Sequence, residues 1–193
     1  MKKEYRNAAR TRRMIRSAFA ELLGEKKTLE ELTVAELAER ADIAKSTFYN
    51  HYTDLYAVAE EYENELLARL SDGIEKASMD STADFDAYIR SMLMFLQAHE
   101  ETYRHAIASP DTKFFIEKLK SVIARQLLEK GDAFHLSADQ SERHVQIRFL
   151  TNACVDTICD YYRGTLNAPF DTVGETLIKL IKRLSLAGAR TDG

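Results

Sequence analysis

An all-α fold is what this sequence predicts, and three observations carry the prediction. Glycine totals 7 and proline 2 among 193 residues, so few positions interrupt a helical pattern. Apolar residues recur at three- and four-residue intervals in segment after segment, the spacing that gathers them on one face of a helix. Two of these segments open on Thr or Ser followed three residues later by Glu or Gln, the form of a helix start. The length suits one large domain, or a small head joined to a larger body with a core of its own.

Taken in order, residues 11–23 form a first helix with Ile15, Ala18, Phe19, Leu22 and Leu23 inward, and Gly24 reads as its stop. Thr33-Val-Ala-Glu36 has the form of a capping box and opens a short second helix that buries Val34, Leu37, Ala38 and Ala41. The pattern breaks at Asp42-Ile43-Ala44. A third short segment, residues 45–52, then sets Ala44, Phe48 and Tyr52 at four-residue intervals, an anchor for docking on the first two helices.

A fourth helix, capped by Thr53 or Asp54, carries Leu55, Val58, Tyr62, Leu66 and Leu70 on one stripe and ends near Gly73. Residues 75–84 are polar and small, the best candidate for a joint between head and body. Residues 86–98 read as a helix, and Ser109-Pro110 reads as the start of another that Gly131 ends. Ser137-Ala-Asp-Gln140 reads as a second capping box, opening a long helix with Val145, Phe149, Ala153, Ile158 and Tyr162. After an interruption near Gly164 and Pro169, the last helix places Val173, Leu177, Leu180, Ile181 and Leu184 on one face.

No stretch approaches the roughly 18 apolar residues of a membrane helix, and nothing resembles a signal peptide, so a cytoplasmic protein without a membrane partner is expected. Cys154 and Cys159 are five apart on one helix and project in different directions, which argues against an intrachain disulfide. Packing residues in a reducing compartment account for them, and a redox pair across a dimer is the other reading.

The informative unit is residues 33–52, TVAELAERADIAKSTFYNHY. Two short helices around a tight turn make a helix-turn-helix, in which the second helix is offered to the major groove of double-stranded DNA. With Ala44, Phe48 and Tyr52 inward, Lys45, Ser46, Tyr49 and Asn50 face outward and Thr47 and His51 share an adjacent stripe. A cation, hydroxyls, an amide and a ring on one face suit base edges and phosphates. Charge divides to match: residues 1–53 carry 11 Lys or Arg against 8 Asp or Glu, while the remainder carries 16 against 23. The basic start of the chain, Arg12 and Arg13 included, reads either as a phosphate-contacting arm or as a solvated terminus.

Residues 8–56 resemble the DNA-binding domain of the TetR/AcrR family of bacterial regulators. The resemblance rests on Arg-x-x-Ile-x-x-Ala-hydrophobic at residues 12–19, Leu-Thr-Val-x-x-Leu-Ala at residues 32–38 and Ser-Thr-Phe-Tyr-x-His-Tyr at residues 46–52. It implies a fold of about nine helices, dimerisation through the last two and a ligand pocket in the body. By position it implies backbone contact from Thr33, base-edge contact from Lys45 and Ser46, and phosphate contact from Thr47, Tyr49 and His51. One departure stands out: many members hold a phosphate with a lysine just inside the fourth helix, and Thr53-Asp54-Leu55-Tyr56 offers none.

The expected domains are a helix-turn-helix DNA-binding domain at residues 1–53 and a larger helical regulatory and dimerisation domain at residues 54–193, with the helix at about 54–73 between them. Ile158, Tyr162, Leu177, Leu180, Ile181 and Leu184 are the dimer-interface candidates. Tyr88, Met92, Phe95, His99, Tyr103, Phe114, Phe115 and Phe149 are candidates for lining a pocket that takes a small apolar or aromatic effector, and ordinary core packing explains most of them as well. His99 and His105 have no ligand partners at recognisable spacing, so neither metal nor cofactor is expected.

The expected function is that of a homodimeric transcription regulator, a repressor released from a palindromic operator by an effector. The alternative is a regulator or coactivator of the same fold whose body binds a protein. An enzyme is not expected, since no nucleophile elbow, complete phosphate loop or metal-ligand cluster occurs.

Overall fold

Nine helices and no strand make up the described residues of the computed structural model, which are 2–26, 28–80, 85–108, 113–129 and 136–188. In chain order they are α1 (Lys2–Lys26), α2 (Val34–Arg40), α3 (Lys45–Tyr49), α4 (Leu55–Asp80), α5 (Phe85–Ala98), α6 (Glu100–Ala108), α7 (Lys113–Glu129), α8 (Gln140–Tyr162) and α9 (Phe170–Gly188). The all-α expectation holds. Among the described residues no helix is long and apolar enough to cross a membrane.

The chain divides into two compact units. The first comprises Met1–Leu66 and Glu101–Lys113, and the second Leu67–Glu100 and Phe114–Gly193. In the first, α1 packs on α2 and α2 on α3 around Ile15, Phe19, Leu37, Phe48 and Val58, all essentially inaccessible to water. Phe19 meets Tyr62 edge to face at 5.7 Å, a geometry that suits the ring quadrupoles. Buried Tyr103 on α6 donates its hydroxyl to the Leu66 carbonyl at 3.3 Å. In the second unit, α9 packs against both α5 and α8.

Several element boundaries differ from expectation, each for a visible reason. Helix α1 runs past Gly24 to Lys26, because Glu25 and Lys26 on that last turn are held by Arg40 and Glu36. Helix α4 runs past Gly73 to Asp80. That glycine serves close approach: a Cβ there would sit 2.5 Å from Cε2 of Phe95. Residues 75–80 of the expected joint are therefore helical, and residues 81–84 lie outside the described residues.

Helix α6 is separate from α5, with only His99 between them, and no glycine, proline or cap in the sequence marks that break. Ser109-Pro110 and Gly131 lie outside the described residues. At α8 the cap is Asp139, which accepts from the Glu142 N–H at 2.8 Å, and Ser137, two residues back, accepts from the Asp139 N–H and donates to the Glu142 carboxylate.

The inward face of α8 takes only some of its apolar residues. Ile147, Leu150, Val155, Ile158 and Tyr162 are buried, whereas Val145 and Phe149 are 69% and 60% exposed. Phe149 and Ile158 are nine residues apart, about half a turn around the helix, so the apolar side chains of α8 occupy two opposite faces.

Candidate nucleic-acid interface

Helix α2 starts as its sequence dictates. The Thr33 hydroxyl accepts from the Glu36 N–H at 3.2 Å, and the Glu36 carboxylate accepts from the Thr33 N–H at 3.1 Å. Lys26 on α1 adds an ion pair to the same carboxylate at 2.6 Å. The hydrogen bond from Lys26, then that from Thr33, holds the Glu36 carboxyl below its usual range.

A folded-state pKa below the unfolded one means stability that is complete above about pH 4.3 and lost as pH falls through the lower folded value. Melting of the protein is therefore expected to shift down in acid, and Glu36→Gln, which keeps a cap but no charge, is expected to flatten that part of the profile. A scan of melting temperature against pH for both proteins checks this.

Between α2 and α3 the chain turns on Asp42, whose φ of 53° is left-handed, a conformation that Asp tolerates better than most residues. The Ile43 N–H reaches back to the Ala38 carbonyl at 2.9 Å and fixes the turn. Helix α3 is only Lys45–Tyr49, with Asn50 as its C-cap, so it ends before the expected residue 52. Phe48 is wholly buried and Tyr52 nearly so, as the four-residue spacing implied. Ala44 is not part of that anchor: it is exposed, extended and caps the helix start.

Phe48 and Tyr52 thus seat a short helix whose other side is open. Lys45, Ser46 and Asn50 are exposed, Thr47 and His51 half-buried, and Tyr49 is 58% exposed with its ring edge-on to Phe48 at 5.3 Å. Thr33 is exposed, its hydroxyl engaged in the cap.

A charged network that sequence reasoning missed ties α1 to α4. Arg16 binds Glu61 and Glu65 at 2.5 and 2.6 Å, and Arg12 reaches Glu61 at 3.4 Å while its guanidinium lies 5.5 Å from the centre of the Tyr52 ring. Arg12 is therefore engaged within the protein, whereas Arg13 is exposed. The signal was present in the chain: Arg12 and Arg16 are four apart on one helix, and Glu61 and Glu65 are four apart on another. The Tyr52 hydroxyl lies beside Arg16 and Glu61 without a well-formed hydrogen bond, and burial pushes its pKa up.

The effector-pocket candidates differ in burial. Met92 and Phe115 are buried in the second unit, Tyr103 is buried in the first, and Phe149 faces solvent. Phe95 stacks on exposed His99 with ring centres 4.4 Å apart. The side chains of Tyr88 and Phe114 lie outside the described residues. A surface groove of about 170 Å³ between α5 and α9 is lined by residues that include Arg90, Met94, Gln97 and Phe170, and by none of those candidates.

Of the dimer candidates, Ile158, Tyr162, Leu177 and Ile181 are buried within their own chain, where α8 and α9 pack together. Leu180 is 50% exposed, and the Leu184 side chain lies outside the described residues. Cys154 and Cys159 are free, and burial pushes both thiols up to about 11.

No protein-family model and no curated protein matches the chain. Solved structures do. A TetR-like transcriptional regulator from Rhodococcus sp. RHA1 is 15% identical, with 92% of this chain and 96% of that one aligned at a TM-score of 0.68. A TetR transcriptional regulator from Streptococcus agalactiae 2603V is 20% identical over 92% and 97% of the two chains, at 0.64. Thermus thermophilus FadR, a TetR-family repressor solved in complex with lauroyl-CoA, is 19% identical over 92% and 94%, at 0.57. At such identities the likeness is one of architecture, and this chain has the all-helical fold of the TetR-family transcriptional regulators.

Proposed function

We propose that this chain is a DNA-binding transcription regulator, a cytoplasmic repressor that grips a palindromic operator as a homodimer. The observation that carries the reading is α3: an exposed Lys45, Ser46, Tyr49 and Asn50 on a helix seated by buried Phe48 and Tyr52. Lys45 and Ser46 reach base edges. Thr47, Tyr49, Asn50, His51 and Arg13 hold phosphates and adjacent groups, and the backbone at Thr33 meets the neighbouring strand. Residues 1–53 form the DNA-binding part and residues 54–193 the regulatory and dimerising part.

Dimerisation is supported by Val145 and Phe149 on α8 and Leu180 on α9, three large apolar side chains left in water on helices of the second unit. Phe149→Glu is expected to shift the protein from dimer to monomer in sedimentation equilibrium without loss of helix content. Release by a small apolar effector is supported by the fold, one solved example of which holds lauroyl-CoA. Such a ligand acts only through a difference in its affinity for two conformations.

Selection of bound duplexes from a random pool, at two salt concentrations, tests the reading. The expected product is an inverted repeat with half-site centres about 34–36 Å apart, or a multiple of that. A pool without consensus would count against it.

A further inference from the structure

The first unit sorts its cations into two classes. Arg12, Arg16, Lys26 and Arg40 are taken up by Glu61, Glu65, Glu36, Glu21 and Glu25. By contrast Arg6, Arg10 and Arg13 are exposed, and among the described residues none has an ion-pair partner. All three lie on α1, which is helical from Lys2 onward.

At about 100° per residue, positions 6, 10 and 13 fall within an arc of about 60°. Arg12 and Arg16 fall about 80–120° away from Arg6, on the side that meets α4. Burial of Ile15, Ala18 and Phe19 fixes the rotation of the helix, so the separation is built into the fold. Arg6 to Arg13 spans about 10 Å of helix axis, a length over which one strand of duplex DNA presents about three phosphates.

We infer that Arg6, Arg10 and Arg13 form a rigid phosphate rail, a helical surface that tracks the sugar-phosphate backbone of duplex DNA outside the bases met by α3. The rail rests on the function proposed above. It also bears on the missing lysine at the start of α4: three cations on α1 supply positive charge to the backbone where Leu55 and Tyr56 cannot. Phosphates carry no sequence information, so the rail adds affinity to every duplex alike.

The test is a salt titration by fluorescence anisotropy, using the palindrome recovered by selection and a scrambled duplex of equal length. The variants are Arg6→Gln/Arg10→Gln/Arg13→Gln and, as a comparison that removes the same number of charges, Arg125→Gln/Arg148→Gln/Arg183→Gln at exposed positions of the second unit. Two protomers bring six of these arginines to the duplex, so the triple variant is expected to lower the slope of log affinity on log salt by about 5 and to weaken binding more than about 1,000-fold at about 0.15 M salt, equally on both duplexes. The comparison variant keeps the wild-type slope.

Circular dichroism and melting unchanged from wild type establish that the triple variant is folded, as exposed side chains on a helix allow. An unchanged slope in the folded triple variant overturns the rail and leaves the proposed function standing. An equal fall in both variants also overturns it, by showing an effect of net charge alone. Wild-type protein that binds neither duplex overturns both.

Discussion

Phe48→Ala is expected to unfold the helix-turn-helix while leaving the second unit helical. Phe48 is completely inaccessible to water and stacks near Tyr52 at 5.9 Å, so truncation removes a ring and leaves a cavity between α3 and its supports. Such changes cost about 3–5 kcal/mol. Helix α3 has only five residues, too few to persist without tertiary contacts, so the loss falls directly on its position. Amide exchange over residues 34–52 should become fast, with part of the circular dichroism signal lost. Phe48→Leu, which refills most of the volume, is expected to keep protection and operator binding.

Tyr49→Ala is the complementary case, one residue along and opposite in effect. Tyr49 is 58% exposed and its only described ring contact is the edge of Phe48, so its removal changes stability by less than about 1 kcal/mol. Operator affinity is expected to fall by about 1–3 kcal/mol, tenfold to more than a hundredfold. Tyr49→Phe separates the hydroxyl from the ring: retention of most of the loss assigns it to a phosphate hydrogen bond. Unchanged anisotropy titrations for Tyr49→Ala would contradict the face proposed for α3.

Much of the head was legible because its signals are local. The Thr33 capping box, the Phe48 and Tyr52 spacing and the Asp54 cap, whose carboxylate accepts from the Ala57 N–H at 2.9 Å, all act within four residues. Long-range pairing was less legible. Nothing near Gly24 announces that Arg40 holds Glu25, and nothing near Gly73 announces the Phe95 ring. Both glycines read as stops because the partners that carry the helix past them lie elsewhere in the chain.

The face of α8 was not legible, for a different reason. Apolar side chains occupy two sides of that helix, so periodicity alone could not choose between the Val145 and Phe149 side and the Ile158 and Tyr162 side. Met and aromatic residues in the middle helices carried no directional signal either, since packing and ligand contact favour the same side chains.

The most direct measurement places a cutting reagent beside α3. Thr53 is exposed and follows the helix, so an iron chelate is attached to Thr53→Cys in a chain that also carries Cys154→Ala and Cys159→Ala. On the selected palindrome, the labelled protein is predicted to cleave at two clusters related by the dyad, one in each half-site. Cleavage scattered evenly along the duplex, or one cluster without its symmetry mate, would contradict a dimer that presents α3 to two successive major grooves.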